Sequence, residues 1–324
     1  MAASAIILHS SWRSASTYVW TKFRARPETY CYFEPLNETL ATVTAETINR
    51  FIPWSFAHHP PLDAPYLEEF RPLLGAGGGI PGFPAGLAYG HYRADRWSAL
   101  PELAAYFAGL ADFAAARGKR PVHGLVRSSL RVDWFRAHVP GAHIFIRRAP
   151  RGQFLSILRQ AVKGNPYFLQ RGLTILSCNR DDPVFAPLLA VIDLPALSAL
   201  FETGRTPDAF AWQPLLPQLY AIFYFIQLLG VRHGERHCDL IVDIDRISRD
   251  PAHRRAVEAD IARLTGLALS LADCDVERYE RNLEWSNESF DGLEKWTEEM
   301  VPAEPACPPG LTRRDAPGTP SPAR

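Results

Sequence analysis

Residues 5–24 read AIILHSSWRSASTYVWTKFR. The short apolar run Ala5–Leu8 breaks into a turn of small, hydroxyl-bearing residues around one arginine, and a helix-compatible segment begins near Thr17. The unit reads as strand 5–9, turn 10–16 and helix 17–25. Unpaired backbone N–H groups at a helix start point outward with the positive end of the dipole and favour an anion. Ser14, Ser16 and Thr17 add hydroxyl donors and Arg13 adds a permanent charge. The turn is therefore suited to a phosphate-like group. It lacks the glycines and lysine of GxxxxGK[ST], so it is not a Walker A loop. A serine-rich cap with a surface arginine is the plainer alternative.

The same alternation continues along the chain. TYCYFEP (29–35) is rich in β-formers and stops at a proline, PVHGLV (121–126) and AHIFIRR (142–148) follow, and DLIVDID (239–245) makes a fifth strand. Helices are expected over 98–119 (with Ser98 as its cap), shortly after 127, over 149–162, 184–201, 215–230 and 251–266. Strands alternating with helices predict an α/β fold, a central parallel sheet of about five strands covered on both faces, in a single domain over 1–301. Residues 52–97, with HHPPLDAP and GAGGGIPGFPAG, have little periodicity and read as a flexible lid or substrate loop. Residues 302–324 hold seven prolines and few large apolar side chains, and read as a disordered tail.

Composition narrows the function. Thirty-five basic residues balance 35 acidic ones, so no global field favours nucleic acid or an anionic membrane, and an anionic ligand needs a local basic site. Only four basic residues are lysines (Lys22, Lys119, Lys163, Lys295); the rest are arginine, the better bidentate anion clamp. Cys31, Cys178, Cys238, Cys274 and Cys307 are far apart and never spaced as CxxC, which predicts no disulfide framework and no zinc site. The N-terminal apolar stretch is too short for a signal peptide. LYAIFYFIQLLGV (219–231) is 13 residues long, below spanning length, and reads as a buried core helix. A soluble, cytoplasmic protein is expected.

A second segment, RRAPRGQFLS (147–156), follows another strand and opens another helix. Arg148 lies at the strand end, Pro150 near the first helical position, and Ser156 two turns on. Two anion-ready strand ends in one sheet suit a ligand with two separated anionic groups. Here the chain resembles the sulfotransferase family that uses 3′-phosphoadenosine 5′-phosphosulfate (PAPS). RSAST (13–17) is similar to that family's 5′-phosphosulfate loop, K/R-S-G-[ST]-T, through Arg13, Ser14, Ser16 and Thr17, with Ala15 in place of glycine. Arg148, Pro150 and Ser156 keep the spacing of its 3′-phosphate motif, with Gly152 where an acidic residue is common. The resemblance covers mainly 5–40 and 120–160. It implies a P-loop NTPase-like sulfotransferase fold. It also implies PAPS as co-substrate, 3′-phosphoadenosine 5′-phosphate (PAP) as product, no required metal, and a small-molecule or glycan acceptor whose hydroxyl or amine is sulfated.

Such a transfer needs charge neutralisation at the transferring group and a base for the acceptor proton. Arg13 supplies the charge. Glu34, at the end of the second strand, is the expected base; some family members resemble this Glu-Pro arrangement. A turn-capping role beside Asn37 and Glu38 is its plainer reading. The rival base is His123, which reads better as a packed core histidine, and Arg127 faces either the cleft or a surface ion pair. GAGGGIPG (75–82) reads as a flexible lid or substrate loop, His58–His59 and HGERHC (233–238) as ordinary loop residues, Asp243 and Asp245 as alternating residues on a strand ending in a turn, and Trp285 and Trp296 as packing for a C-terminal segment. Two other functions stay open: an inactive PAP- or PAPS-binding module, favoured by the Cβ of Ala15 in a turn that wants φ > 0, and an ATP-dependent P-loop kinase.

Overall fold

The computed structural model describes residues 4–50, 62–202, 215–276 and 287–302. The tail beyond 302, His58–His59 and Trp285 lie outside them. Five short strands, β1 (Ala5–His9), β2 (Thr29–Phe33), β3 (Arg120–Leu125), β4 (Gly141–Arg147) and β5 (Leu240–Asp243), form one sheet in the order β2-β3-β1-β4-β5. Every pairing is parallel. The α/β class, the five strands and the parallel sheet agree with the sequence reading. β1 is buried at every position because both faces are covered, which is why it reads as an uninterrupted apolar run.

Helices α1 (Ser16–Arg24), α2 (Ala45–Arg50), α3 (Pro101–Ala115), α4 (Val132–His138), α5 (Pro150–Val162) and α6 (Tyr167–Cys178) follow in chain order. Longer still is Leu216–His237, which contains the apolar 219–231 run and packs against β4. Its Gly234 is needed there: a Cβ would come within 2.4 Å of the Phe145 ring. The C-terminal helix Asn287–Met300 clamps the same long helix, with Phe290 edge-on to Tyr220 and the Tyr224 hydroxyl donating to Glu298 at 2.7 Å. One core fills the β1–β3 side with Trp20, Phe23, Tyr32, Phe70 and Phe107, and a second joins α5, α6 and Leu216–His237.

Three local expectations are corrected. Ser98 does not cap α3, which starts at Pro101 without a side-chain cap; its hydroxyl closes a turn with Asp95. In the Gly75–Gly82 loop the Gly75 and Gly78 amides donate within the loop and the Gly79 and Ile80 amides donate to the Val43 and Leu40 carbonyls, so it is a packed turn rather than an open loop. β5 ends at Asp243, which caps the next helix, while Asp245 accepts from the Ala149 amide at 2.6 Å and pins the start of α5. The described part of 52–97 is irregular, as expected, but packed: Tyr66, Leu67, Phe70, Ile80 and Tyr92 are buried.

The connection leaving β1 runs toward the β2 edge of the sheet, and the one leaving β4 runs toward β5. The carboxyl ends of β1 and β4, side by side, are thus the topological switch point where open α/β sheets bind ligands.

Candidate functional site

Both anion-ready turns emerge at this switch point. After β1 the chain turns through Arg13 (φ 66°) and Ala15 (φ 64°), two non-glycine residues in the left-handed region. Ala15 precedes the first residue of α1, which has neither a side-chain cap nor an acidic residue in its first turn. No acidic side chain in that turn opposes an anion at the helix start. The left-handed backbone costs of order 1 kcal/mol per residue and persists only where its surroundings impose it. Ala15 occupies the conformation that glycine would adopt freely, so its Cβ does not prevent the turn.

The two motifs meet. Arg13 Nε donates to Ser156 Oγ at 3.0 Å, and Arg148 Nη1 donates to the Arg13 carbonyl at 3.3 Å. Gln153 ties the turns together by donating to Ser11 Oγ and to the Trp12 carbonyl, each at 2.6 Å, and is itself held by Gln227 at 2.7 Å. Ser14 Oγ donates to the Ser11 carbonyl at 2.8 Å, so that hydroxyl shapes the turn. Ser16, Thr17, Arg148 and Ser156 are nearly buried. Gly152 leaves open the approach that an acidic side chain would take: a Cβ there would lie 3.8 Å from the Arg148 guanidinium.

Glu34 is the third left-handed residue at the sheet's carboxyl edge (φ 42°); its amide extends the ladder to the Gly124 carbonyl. Its carboxylate pairs with Arg127 Nη1 and accepts from Asn37 Nδ2 at 3.2 Å. Both contacts fall on Oε2, leaving Oε1 without a partner among the described residues. Arg127 is no surface residue: its side chain is 1% exposed and continues to Glu38 Oε2 at 2.5 Å and to the hydroxyls of Tyr167 and Tyr89. Its guanidinium lies over the Trp12 and Tyr89 rings. Burial alone would weaken its charge, but Glu34, the tyrosines and Glu38 hold it firmly protonated.

Two bridges join the halves. Tyr167 and Phe168, adjacent on α6, serve one half each: the Tyr167 hydroxyl meets Arg127 and Glu38, and the Phe168 ring lies 5.5 Å from the Arg13 guanidinium. Tyr66, stacked on Phe33, is raised by burial and by Glu34 and lowered by Arg13, so it feels both groups.

His123 stands apart. It is fully buried in β3, stacked on Tyr32 and edge-on to Phe107, with both ring nitrogens lacking a partner among the described residues. Burial, then His143, push its pKa down to about 3. It is a packed core histidine. Among the described residues no cluster of three His, Cys, Asp or Glu could hold a metal ion, and no helix is long and apolar enough to cross a membrane.

Arg13, Arg148 and Ser156 thus meet where the turns after β1 and β4 touch, Ser14, Ala15, Ser16 and Thr17 continue the first turn, and Glu34 directly follows β2 at the same carboxyl edge of the sheet. Sequence reasoning missed Arg171, Tyr89 and Tyr167, because they lie on irregular or helical segments whose approach to Arg127 and Glu38 only the fold determines. Comparisons of the chain with family models, with curated proteins and with solved structures found no match, so the reading of this site rests on its own residues and geometry.

Proposed function

We propose that the protein is a PAPS-dependent sulfotransferase acting on a hydroxyl or amine of a small-molecule or glycan acceptor. The observation that carries this reading is the meeting of Arg13 with Ser156 and of Arg148 with the Arg13 carbonyl, at the switch point of a parallel sheet. Two cationic turns at adjacent strand ends suit a nucleotide bearing separate 5′ and 3′ anionic groups.

In this reading the 5′-phosphosulfate lies on the 13–17 turn and the 3′-phosphate on Arg148 and Ser156. The acceptor oxygen or nitrogen attacks sulfur in line, and the sulfur–oxygen bond to the 5′-phosphate breaks, leaving PAP. Arg13 and the turn amides stabilise charge growing on the bridging oxygen; arginine stays protonated and acts as a clamp, not an acid. Glu34 Oε1 takes the acceptor proton while Arg127 and Asn37 orient the carboxylate through Oε2.

The test is transfer from sulfur-labelled PAPS across a panel of alcohols, phenols, amines and oligosaccharides. Labelled product with stoichiometric PAP supports the reading. Tight PAP binding without transfer to any acceptor favours the inactive-module alternative, and phosphoryl transfer from magnesium–ATP favours a kinase.

A further inference from the structure

Two arginines and two tyrosine hydroxyls converge on a single carboxylate next to Glu34. Glu38 stands on a four-residue turn, Glu38–Ala41, whose cap is Asn37. Its Oε1 accepts from Arg171 Nη1 at 2.9 Å and from the hydroxyls of Tyr89 and Tyr167, both at 3.1 Å; its Oε2 accepts from Arg127 Nη2 at 2.5 Å. Four donors on two oxygens of one planar group make a site shaped for a carboxylate. Glu38 itself is 37% exposed, whereas Arg127 is 1% and Arg171 14% exposed.

Both arginines also have partners other than Glu38. Arg127 keeps Glu34, the Tyr167 hydroxyl and its position over the Trp12 and Tyr89 rings. Arg171 keeps the Tyr167 carbonyl at 3.1 Å, the Tyr89 hydroxyl at 2.7 Å and the Tyr167 ring at 4.1 Å. Withdrawing Glu38 would leave a cradle with one positive charge in excess, since Arg127 would keep Glu34 while Arg171 would have no carboxylate partner among the described residues.

We propose that this cradle is a carboxylate subsite, that Glu38 is its tethered stand-in, and that the acceptor carries a carboxylate which displaces Glu38. Exchange of one carboxylate for another conserves the charge of the site and returns the half-exposed Glu38 to water. A tethered group competes at an effective concentration near millimolar or above. A small free carboxylate therefore binds the wild type weakly, and the rest of the acceptor must add contacts. Sharing Arg127 with Glu34 places the subsite beside the candidate base. The acceptor role rests on the sulfuryl-transfer reading; the binding of a carboxylate does not.

The experiment titrates the full chain with glucuronate and with benzoate, and with glucose and benzyl alcohol as uncharged counterparts, by calorimetry. Glu38→Ala is expected to bind a carboxylate probe roughly ten- to hundredfold more tightly than the wild type, the scale of a recovered charge-assisted pair. Glu38→Gln is expected to show a smaller gain. The uncharged counterparts gain nothing, and adding Arg171→Met to Glu38→Ala cancels the gain. A preference for glucuronate marks a uronic acid acceptor, and one for benzoate an aryl acid. PAP titrated into the same samples separates the two readings: failure to bind PAP removes the nucleotide assignment and leaves the carboxylate result standing. The subsite is overturned if neither variant gains affinity or if the gain survives Arg171→Met. It is overturned equally if both Glu38 variants unfold, because Glu38 is then a structural member.

Discussion

His123 offers a quantitative check on which groups in this fold titrate. Its ring is fully buried, and burial followed by His143 lowers its pKa to about 3. In the unfolded chain an imidazole titrates near 6.5. The folded value is the lower one, so between them the unfolded state binds the extra proton. The stability due to the neutral ring is complete above about pH 6.5 and is lost as pH falls toward 3. At pH 5 the loss is about 1.5 pH steps at 1.36 kcal/mol each, roughly 2 kcal/mol. His123→Phe removes the titration, keeps a flat ring against Tyr32 and Phe107, and removes two nitrogens that have no partner among the described residues. It is expected to match or exceed the wild type in stability at pH 7. Urea unfolding of both proteins at pH 7, 6 and 5 isolates this residue, because the other groups cancel in the difference. Between pH 7 and 5 the wild type is expected to lose about 2 kcal/mol more than the variant. Parallel losses would refute the burial argument. Retained transfer activity in His123→Phe would accord with its place in the core.

Further predictions address the site directly. Glu34→Gln keeps size but not basicity, and is expected to lower kcat by roughly 10²–10⁴-fold with PAP affinity almost unchanged, whereas Arg13→Ala weakens both binding and turnover; steady-state kinetics with labelled PAPS and calorimetry separate the two. Ala15→Gly relieves a left-handed alanine but loosens the unfolded chain, and is expected to stay within about 1 kcal/mol of the wild type, while Ala15→Val, β-branched at φ 64°, loses about 1–3 kcal/mol in urea unfolding.

Much of the fold was legible because buried parallel strands betray themselves. AIILH and HIFIR read as apolar runs, and each ends where small or cationic residues begin. The two cationic turns were legible for the same reason: Arg13 and Arg148 sit at fixed steps from strand ends. Their direct contact was not, since strand order decides that β1 and β4 are neighbours, and no local pattern encodes it. Arg127 illustrates the limit. Its sequence context allowed a cleft or a surface pair, and only the approach of Glu34, Glu38 and α6 reveals a buried guanidinium with two carboxylates. Ser98 shows the opposite failure, a plausible cap claimed by a nearer partner, Asp95.

The central claim, that the ends of β1 and β4 bind a nucleotide with separate 5′ and 3′ anionic groups, is tested most directly by calorimetry with PAP and with AMP, which lacks the 3′-phosphate. The wild type is expected to bind PAP roughly ten- to hundredfold more tightly, the value of a charge-assisted contact of about 1.5–3 kcal/mol, and Arg148→Ala is expected to abolish most of that difference. Equal affinity for PAP and AMP in the wild type would contradict the assignment of Arg148 and Ser156 and, with it, the account of the site.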